Sequence, residues 1–375
     1  MIRKSIFIAI CCVYLIGCNE RVPLEKASLI LLIALDKTSN GKIRIGTSIP
    51  IFHPNKQKDT VEHWVQASTV YNGISKIDTK LTGFVTSSKA EIILIGKNFA
   101  QEANWIRQLD SSYRDPYSNI NAKVILIDGL AEDFFKVKRN DKPALPSYIN
   151  KLVNSSVQNN QAVSPTIEQL MREKNEDGLT QSLPIIKKTN DEIDTIGIAF
   201  LDQYGRYLTR ISKKDVKFFN LINKSKKTGR MILHLTLSPK KSNQKPNASI
   251  LIQDAKRKIN VNFKKGKFIF NIHVNMNVAL IEKTNENLIT NRLDDKKNII
   301  KLEQEIKQEL DNKLQNMLQD IQKNQIDPLG LALYARAFQY QEWKKVKKDW
   351  LHVLSKAEIN VKTNVKIIDT GTIKS

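Results

Sequence analysis

Two hydrophobic periods alternate along the first part of the chain. An apolar run at 28–36 and a segment at 42–51, in which every second residue from Ile43 is Ile or Thr, flank the turn sequence TSNG at 38–41. Alternation after Asn-Gly is typical of a β-hairpin with one buried face. From Val70 the apolar residues are instead spaced by three and four positions, which predicts a helix.

Two short apolar runs further along predict buried strands that alternate with helices. They are AEIILIG at 90–96 and AKVILIDG at 122–129. The segment 98–109, after the first run, has a helical pattern with Asn98 as its predicted N-cap, and LAEDFF after the second run predicts another helix. This alternation predicts a mixed or parallel sheet covered by helices.

Residues 141–187 are more polar and contain several prolines. We predict an irregular connection there, with two short helices at 148–157 and 166–172. The segment 195–212 then has the pattern of a hairpin that turns at Gln203-Tyr204-Gly205.

The second half predicts a meander of strands and then long helices. The predicted strands lie near 231–238, 248–254, 257–263 and 267–281. Apolar residues recur every three or four positions from Ile299 to Ile321, which predicts a long amphipathic helix. Asp327 is the predicted N-cap of the next helix, with Pro328 at its first position, and an alternating strand at 359–368 ends the chain.

These patterns predict an α+β fold with an N-terminal mixed sheet and helices, and a C-terminal antiparallel sheet packed with long helices. The predicted divisions are a signal peptide at 1–17, an N-terminal domain at 18–187, a small middle segment with a hairpin at 188–230 and a C-terminal domain at 231–375. At about 150 residues per domain, the chain after residue 17 is long enough for two or three domains.

The N-terminus has the order of a secretory signal, with two basic residues before an apolar stretch at 6–16. That stretch is shorter than the roughly 20 residues of a membrane-spanning helix. Leu15-Ile16-Gly17-Cys18 resembles the bacterial lipobox, which implies a diacylglyceryl group on the thiol of Cys18 and cleavage before it. Two acyl chains give stable anchoring. The alternative is a buried apolar segment with an incidental cysteine.

The formal net charge of +22 is concentrated in one stretch of the chain. Residues 206–267 contain 18 Lys or Arg and only two Asp. In a membrane-tethered chain this favours contact with anionic lipid headgroups. The alternative is that these lysines only cover solvent-facing loops and strands. We predict no nucleic-acid partner, because neither a zinc-ligand spacing nor an aromatic RNA-binding signature accompanies the charge.

The sequence contains no motif for catalysis, for a metal or for a cofactor. None of the five histidines has HExxH spacing, and no nucleophile elbow, phosphate loop or dinucleotide fingerprint is present. We therefore predict a protein that is not an enzyme and that holds no metal and no cofactor. Trp343 and Trp350, seven residues apart, share one face of a predicted helix, which is typical of a core stripe.

Several stretches together resemble the Ger(x)C family, the lipoprotein C subunits of spore germinant receptors. These stretches are the lipobox and the segments 87–102, 109–116, 122–135, 178–186, 196–212 and 325–354. Relatives often have a second glycine where this chain has Ala332. The resemblance implies a partner contact or a structural role for the motif residues within these stretches, which are Arg114, Asp115, Asp327, Gly330, Trp343 and Trp350.

The resemblance also implies a three-domain lipoprotein on the outer face of the inner spore membrane. Its implied partners are two integral membrane subunits, of the A and B types, with which it responds to nutrients and starts germination. The family has no established catalytic residues. Two other functions stay open from the residues alone: a substrate-binding lipoprotein of a transporter, and an exported hydrolase acting on envelope material.

Overall fold

The structure is a computed structural model that describes residues 27–51, 59–81, 83–137, 142–223, 231–237, 247–283 and 296–370. Cys18 and the whole predicted signal peptide lie outside these ranges, so the lipobox stays a prediction. The described chain folds as two halves that share one hydrophobic core at their junction.

An eight-stranded mixed sheet forms the N-terminal half. The strands of this half are β1 (Ala27–Leu29), β2 (Leu32–Lys37), β3 (Ile43–Pro50), β4 (Thr60–Ala67), β5 (Phe84–Thr86), β6 (Ile92–Gly96), β7 (Lys123–Ile127), β8 (Ser182–Thr189), β9 (Glu192–Leu201) and β10 (Tyr207–Ser212). The sheet order is β10-β9-β8-β7-β6-β2-β3-β4, and β1 and β5 form a separate two-stranded sheet. Strands β2, β6, β7 and β8 are parallel, with antiparallel strands on both sides.

Helices cover both faces of this sheet. They are α1 (Val70–Asp78), α2 (Lys97–Ala100), α3 (Asp110–Arg114), α4 (Ala131–Phe135), α5 (Leu145–Gln158) and α6 (Ile167–Lys174), with a 3₁₀ turn at Trp105–Leu109. Successive strand residues point to opposite faces. Ile33 therefore packs in the core beneath α1 and α6, whereas Leu32 packs in the core beneath α4 and α5. Burial on both faces explains why the central strands have apolar runs rather than alternation.

The prediction of a single helix at 98–109 is wrong. The helical segment that begins there is α2, whose N-cap is Gly96 rather than Asn98, and it ends after four residues. Asn104 then takes a left-handed conformation with φ 60°, and its N–H donates to the carbonyl of Tyr204 at 2.7 Å. Asparagine tolerates this conformation better than most residues. The N–H of Asn104 therefore binds the β9–β10 turn instead of continuing the helix.

Residues 141–187 are more ordered than predicted. The two short helices are confirmed as α5 and α6, and β8 begins at Ser182. The predicted hairpin at 195–212 is confirmed as β9 and β10. The boundary predicted after residue 187 lies inside β8, and β8 to β10 continue the N-terminal sheet. The division into domains stays a prediction.

A four-stranded sheet forms the C-terminal half. Its strands are β11 (Met231–Thr236), β12 (Asn247–Lys264), β13 (Lys267–Lys283) and β14 (Glu358–Asp369), and they lie side by side in this order. The first three are antiparallel, as predicted, but β12 is one long strand where two were predicted, with an irregularity in register between Ile252 and Asp254. β14 pairs parallel to β13, so the antiparallel prediction is wrong for this strand. The reason is the intervening helical segment, which returns the chain to the end of the sheet where β13 began.

The remaining helices pack on this sheet and join the two halves. They are α7 (Lys213–Asn223), α8 (Lys296–Lys323), α9 (Leu331–Phe338), α10 (Tyr340–Val346) and α11 (Trp350–Ser355). The apolar stripe predicted for the long helix is buried along α8. α7 carries Phe219 against Phe200 of β9, with 5.5 Å between ring centroids. One core therefore runs from the last strands of the N-terminal sheet into the C-terminal half.

Candidate functional site at the junction of the two halves

The loop between α8 and α9 places a carboxylate entirely inside the protein. Asp327 has no exposed surface, and its oxygens accept hydrogen bonds from the backbone N–H of Leu331 at 2.8 Å and of Ala332 at 2.7 Å. The indole Nε1–H of Trp350 donates a third bond at 3.0 Å. A buried carboxylate is stable only when such donors surround it. Asp327 therefore ties the start of α9 to the start of α11.

The predicted position of Asp327 in the helix is wrong by three residues. α9 begins at Leu331, and its N-cap is Gly330, which has φ 68° in the left-handed region. Pro328 lies in the turn before the helix rather than at its first position. Asp327 still satisfies two free N–H groups of the first helical turn, but its side chain does so from outside the helix. Glycine at 330 permits the left-handed turn that brings the carboxylate into range.

A segment of the N-terminal half closes the same site. The hydroxyl of Thr180 accepts the backbone N–H of Asp327 at 2.8 Å, and the N–H of Thr180 donates to the carbonyl of Asp327 at 3.1 Å. Gly178 has φ 85°, and a Cβ atom on it would lie 2.4 Å from Cδ1 of Trp350. We call Gly178, Thr180, Asp327, Gly330 and Trp350 the junction cluster. Its members come from both halves, and Gly178 packs so closely on Trp350 that a side chain at this position would clash with the ring.

Two ion pairs extend this connection towards solvent. Arg336 of α9 contacts Glu176 at 2.9 Å, and Lys347 contacts Asp177 at 3.5 Å. These side chains are partly exposed, so each pair contributes little free energy by itself. They nevertheless add contacts between the same two segments that the junction cluster joins.

Burial dominates the electrostatics of the junction cluster. It raises the pKa of Asp327 from 3.8 to about 6, although the bonds from Ala332, Leu331 and Trp350 favour the charged form and oppose the rise. At neutral pH the carboxylate is charged and accepts hydrogen bonds only. All its partners are donors of the protein itself, so its chemistry is that of a structural connection.

The two tryptophans of the C-terminal motif are core residues. Trp350 packs edge-on against Phe268 and Phe270, with ring centroids 5.3 Å and 6.3 Å away. Trp343 is also buried, and Arg336 lies 5.8 Å from the centre of its ring. Neither indole forms an exposed stacking surface.

Arg114 and Asp115 lie apart from the junction cluster. The side chain of Arg114 is 77% exposed and pairs with Asp110 one helical turn earlier, at 2.7 Å. Asp115 accepts bonds from the N–H of Tyr117 and the hydroxyl of Ser118, both at 2.9 Å. These bonds form a turn after α3. The structure therefore brings four of the predicted motif residues into the C-terminal core and leaves these two on the surface of the N-terminal half.

The sequence patterns did not single out two members of the junction cluster, Gly178 and Thr180. They belong to the stretch GLTQSLP, which contributed only to the family resemblance. Their partners lie more than 140 residues further along the chain, and the sequence gives no local signal for that contact. The glycine before a strand was the one available sign, since such positions often need positive φ or close packing.

Two cavities flank the junction. One of about 450 Å³ has a charged lining that includes Asp177, Arg206 and Lys347, and one of about 310 Å³ lies between β10 and α8. In the described ranges, no three side chains of His, Cys, Asp or Glu come together as a metal site. Nor is any helix in those ranges both long and apolar enough to cross a membrane.

Comparison with known proteins gives matches over nearly the whole chain. A family model described as spore germination protein N-terminal domain matches residues 20–188, and one described as spore germination B3/GerAC like, C-terminal, matches residues 196–371. The spore germination protein GerQC of Bacillus cereus is 21% identical over 369 residues, which are 98% of this chain and 99% of that protein. The spore germination protein A3 of Bacillus subtilis (strain 168) is 24% identical over 382 residues, covering 97% of this chain and 96% of that protein.

A solved structure, that of the GerBC protein, has a similar fold. Its TM-score is 0.57 at 17% identity, with 90% of this chain and 97% of that chain covered. At this identity the likeness shows the fold alone. The two family models follow one another along the chain in the order that the sequence motifs indicated, and together they include the whole junction cluster. The chain belongs to the Ger(x)C family of spore germination proteins.

Proposed function

We propose that this protein is the lipid-anchored C subunit of a spore germinant receptor and that it acts in nutrient-triggered germination. The observation that carries the proposal is the ordered match of both germination-family models behind a sequence, ending at Cys18, that resembles a lipobox. In this proposal the thiol of Cys18 carries the diacylglyceryl group, and the folded chain lies on the outer face of the inner spore membrane. Its partners there are A-type and B-type integral membrane subunits.

The proposed role is assembly or signalling without catalysis. The junction cluster supports this, because its carboxylate is fully buried and accepts hydrogen bonds from donors of the protein itself. Such a connection keeps the two halves in a fixed relation, which suits a subunit that presents surfaces to neighbours. The basic stretch at 206–267 provides an alternative, electrostatic contact with anionic headgroups, which would place a different face of the protein on the membrane.

Spores that carry Cys18→Ala in a strain without other germinant receptors test the proposal. We expect the protein to leave the membrane fraction and the nutrient response to fall, because the chain then lacks its acyl chains. Cys12→Ala is the matched control, since it changes the same residue type within the part that cleavage removes. A Cys18→Ala protein that is released while germination is unchanged would contradict the lipid-anchored role. Failure of wild-type protein to co-purify with the A-type or B-type subunits would contradict the assembly role.

A substrate-binding lipoprotein of a transporter is the alternative. Such proteins usually have two similar α/β lobes, whereas this chain joins an eight-stranded mixed sheet to a four-stranded one. Titration calorimetry of the chain from residue 19 onwards with candidate nutrients separates the two functions. Tight binding of a nutrient by the isolated chain would favour the transporter protein.

A further inference from the structure

The first described residue shows where the membrane tether enters the fold. Ala27 pairs with Phe84 in the two-stranded sheet of β1 and β5. Cys18 lies nine residues before Ala27, and nine extended residues span at most about 30 Å. An acylated Cys18 therefore keeps the corner formed by β5 and its neighbours α1 and α3 within about 30 Å of the bilayer.

That corner carries a concentration of exposed aromatic side chains. Tyr71, Phe84 and Tyr117 line one cavity and are 64%, 55% and 63% exposed, and Tyr113 is exposed on α3 beside Ser112 of the same cavity. We call Tyr71, Phe84, Tyr113 and Tyr117 the aromatic corner. Seven aromatic side chains are exposed in the described ranges, and the aromatic corner holds four of them. The other three are Tyr204, Phe338 and Tyr340.

Charged side chains of both signs surround the aromatic corner. Lys80 and Lys89 are exposed and lie four and five residues from Phe84 along the chain. The carboxylates that line the cavity, Asp78 and Asp115, are held by hydrogen bonds from the N–H of Val85 at 3.2 Å and from the turn after α3, and these neutral donors do not cancel their charge. A lysine close to an anionic bilayer is attracted to the lipid phosphates.

We propose that the aromatic corner is the face of this protein that lies in the interfacial layer of the lipid bilayer. The rings would lie at the level of the headgroups, where Tyr and other amphipathic aromatics concentrate in membrane proteins, with Lys80 and Lys89 beside lipid phosphates. This inference rests on the proposed acylation of Cys18, because the short tether is what brings the corner to the membrane. The occupant is the lipid surface itself.

The fold leaves the C-terminal half away from this face. The tether enters beside β3, because Leu31 donates to the carbonyl of Ser48 directly after β1. The C-terminal half packs instead on β9 and α7. Five strand spacings separate β2 from β10 in the sheet order, or about 25 Å. With the aromatic corner in the bilayer interface, the junction cavities face the aqueous side.

Amide hydrogen exchange on vesicle-coupled protein tests this orientation. Cleavage leaves Cys18 as the one cysteine of the mature chain, so a maleimide phospholipid couples the purified chain to vesicles of neutral and anionic phospholipid at the native anchor position. We expect coupling to slow exchange in residues 70–86 and 110–118 by about tenfold relative to the uncoupled chain, because bilayer contact shields these segments. Residues 338–348, which hold two of the other exposed aromatics, should exchange at the same rate in both.

Two matched variants make the test specific. Tyr71→Ser/Phe84→Ser/Tyr117→Ser should abolish the slowing, whereas the control Tyr204→Ser/Phe338→Ser/Tyr340→Ser, which removes exposed aromatics elsewhere, should preserve it. Slowing that persists in the first variant, or that falls in 206–267 or 338–348 instead, overturns the proposal. So does slowing at the corner that requires an added A-type or B-type subunit, since the occupant is then a protein.

The chemical coupling also separates this inference from the proposed function. It fixes the chain at Cys18 whether or not the native protein is acylated there. The mass of the N-terminal peptide isolated from spores reports native acylation by itself. A missing diacylglyceryl group would refute the proposed anchor, while a missing slowing on vesicles would refute only the orientation.

Discussion

Gly178→Ala is the sharpest test of how the two halves are joined. The residue has φ 85°, and the added Cβ would lie 2.4 Å from Cδ1 of Trp350 and 3.0 Å from Cβ of Ala332. Forcing alanine into the left-handed region costs roughly 1 kcal/mol. Overpacking against a buried ring adds about 1–3 kcal/mol. We therefore expect Gly178→Ala to lower the free energy of unfolding by about 2–4 kcal/mol.

Gly266→Ala is the matched control for this substitution. Gly266 lies in the β12–β13 turn with φ 75°, and nothing lies within 4 Å of a Cβ built on it. The control therefore contains the backbone cost and lacks the clash, so we expect a loss of about 1 kcal/mol. The difference between the two variants, about 1–3 kcal/mol, measures the packing of Gly178 on Trp350.

Urea unfolding of the chain from residue 19 onwards, followed by far-ultraviolet circular dichroism, measures both values. The two halves share a core, so we expect a common transition with an unchanged dependence on urea in both variants. Equal losses for Gly178→Ala and Gly266→Ala, within about 0.5 kcal/mol, would refute the close packing of residue 178 against Trp350. A separate early transition in Gly178→Ala alone would show that the junction opens before the rest unfolds.

Three further predictions concern the motif residues. Asp327→Ala should cost about 3–5 kcal/mol in urea unfolding, because it leaves buried N–H donors without an acceptor. Burial raises the pKa of Asp327 from 3.8 to about 6, so the folded chain binds this proton more tightly than the unfolded chain does. The resulting contribution to stability is complete below about pH 4 and is lost as the pH rises through about 6. The advantage of the wild type over Asp327→Asn should therefore shrink by up to about 3 kcal/mol across that window, and an advantage that grows instead would contradict the raised pKa. Arg114→Ala should change stability by less than about 0.5 kcal/mol, whereas Asp115→Ala should cost about 1 kcal/mol because it removes two turn bonds.

The spacing of apolar residues within short segments predicted the hairpins and the long helix, whose structure depends on residues close together in the sequence. The hairpins β2–β3 and β9–β10 follow from apolar or alternating segments on either side of a turn with Gly41 or Gly205. The long helix α8 follows from its apolar stripe. In each case the partner strand or the buried face lies within the same short segment, so the sequence contains the whole signal.

Contacts between distant segments could not be predicted in the same way. The parallel pairing of β14 with β13 depends on a helical connection whose path is determined by packing on the sheet. Asp327 shows the same limit within a loop, because its sequence predicts a cap but not the left-handed turn at Gly330. Its bond to Thr180 joins residues 147 positions apart. The helix predicted at 98–109 failed for a related reason, since Asn104 bonds to the β9–β10 turn instead of to its own helix.

The aromatic corner and the basic stretch at 206–267 make opposed predictions about salt. Electrostatic attraction between exposed charges and headgroups is screened over about 10 Å at 0.1 M salt. The part of the basic stretch at β10 lies about 25 Å from β2 in the sheet order, so this part contributes little attraction when the aromatic corner lies in the interface. Vesicle binding by Cys18→Ala chain without lipid should then weaken only modestly between low and physiological salt, because burial of rings is not screened. A steep loss over that range would favour contact through residues 206–267 and a different orientation on the membrane.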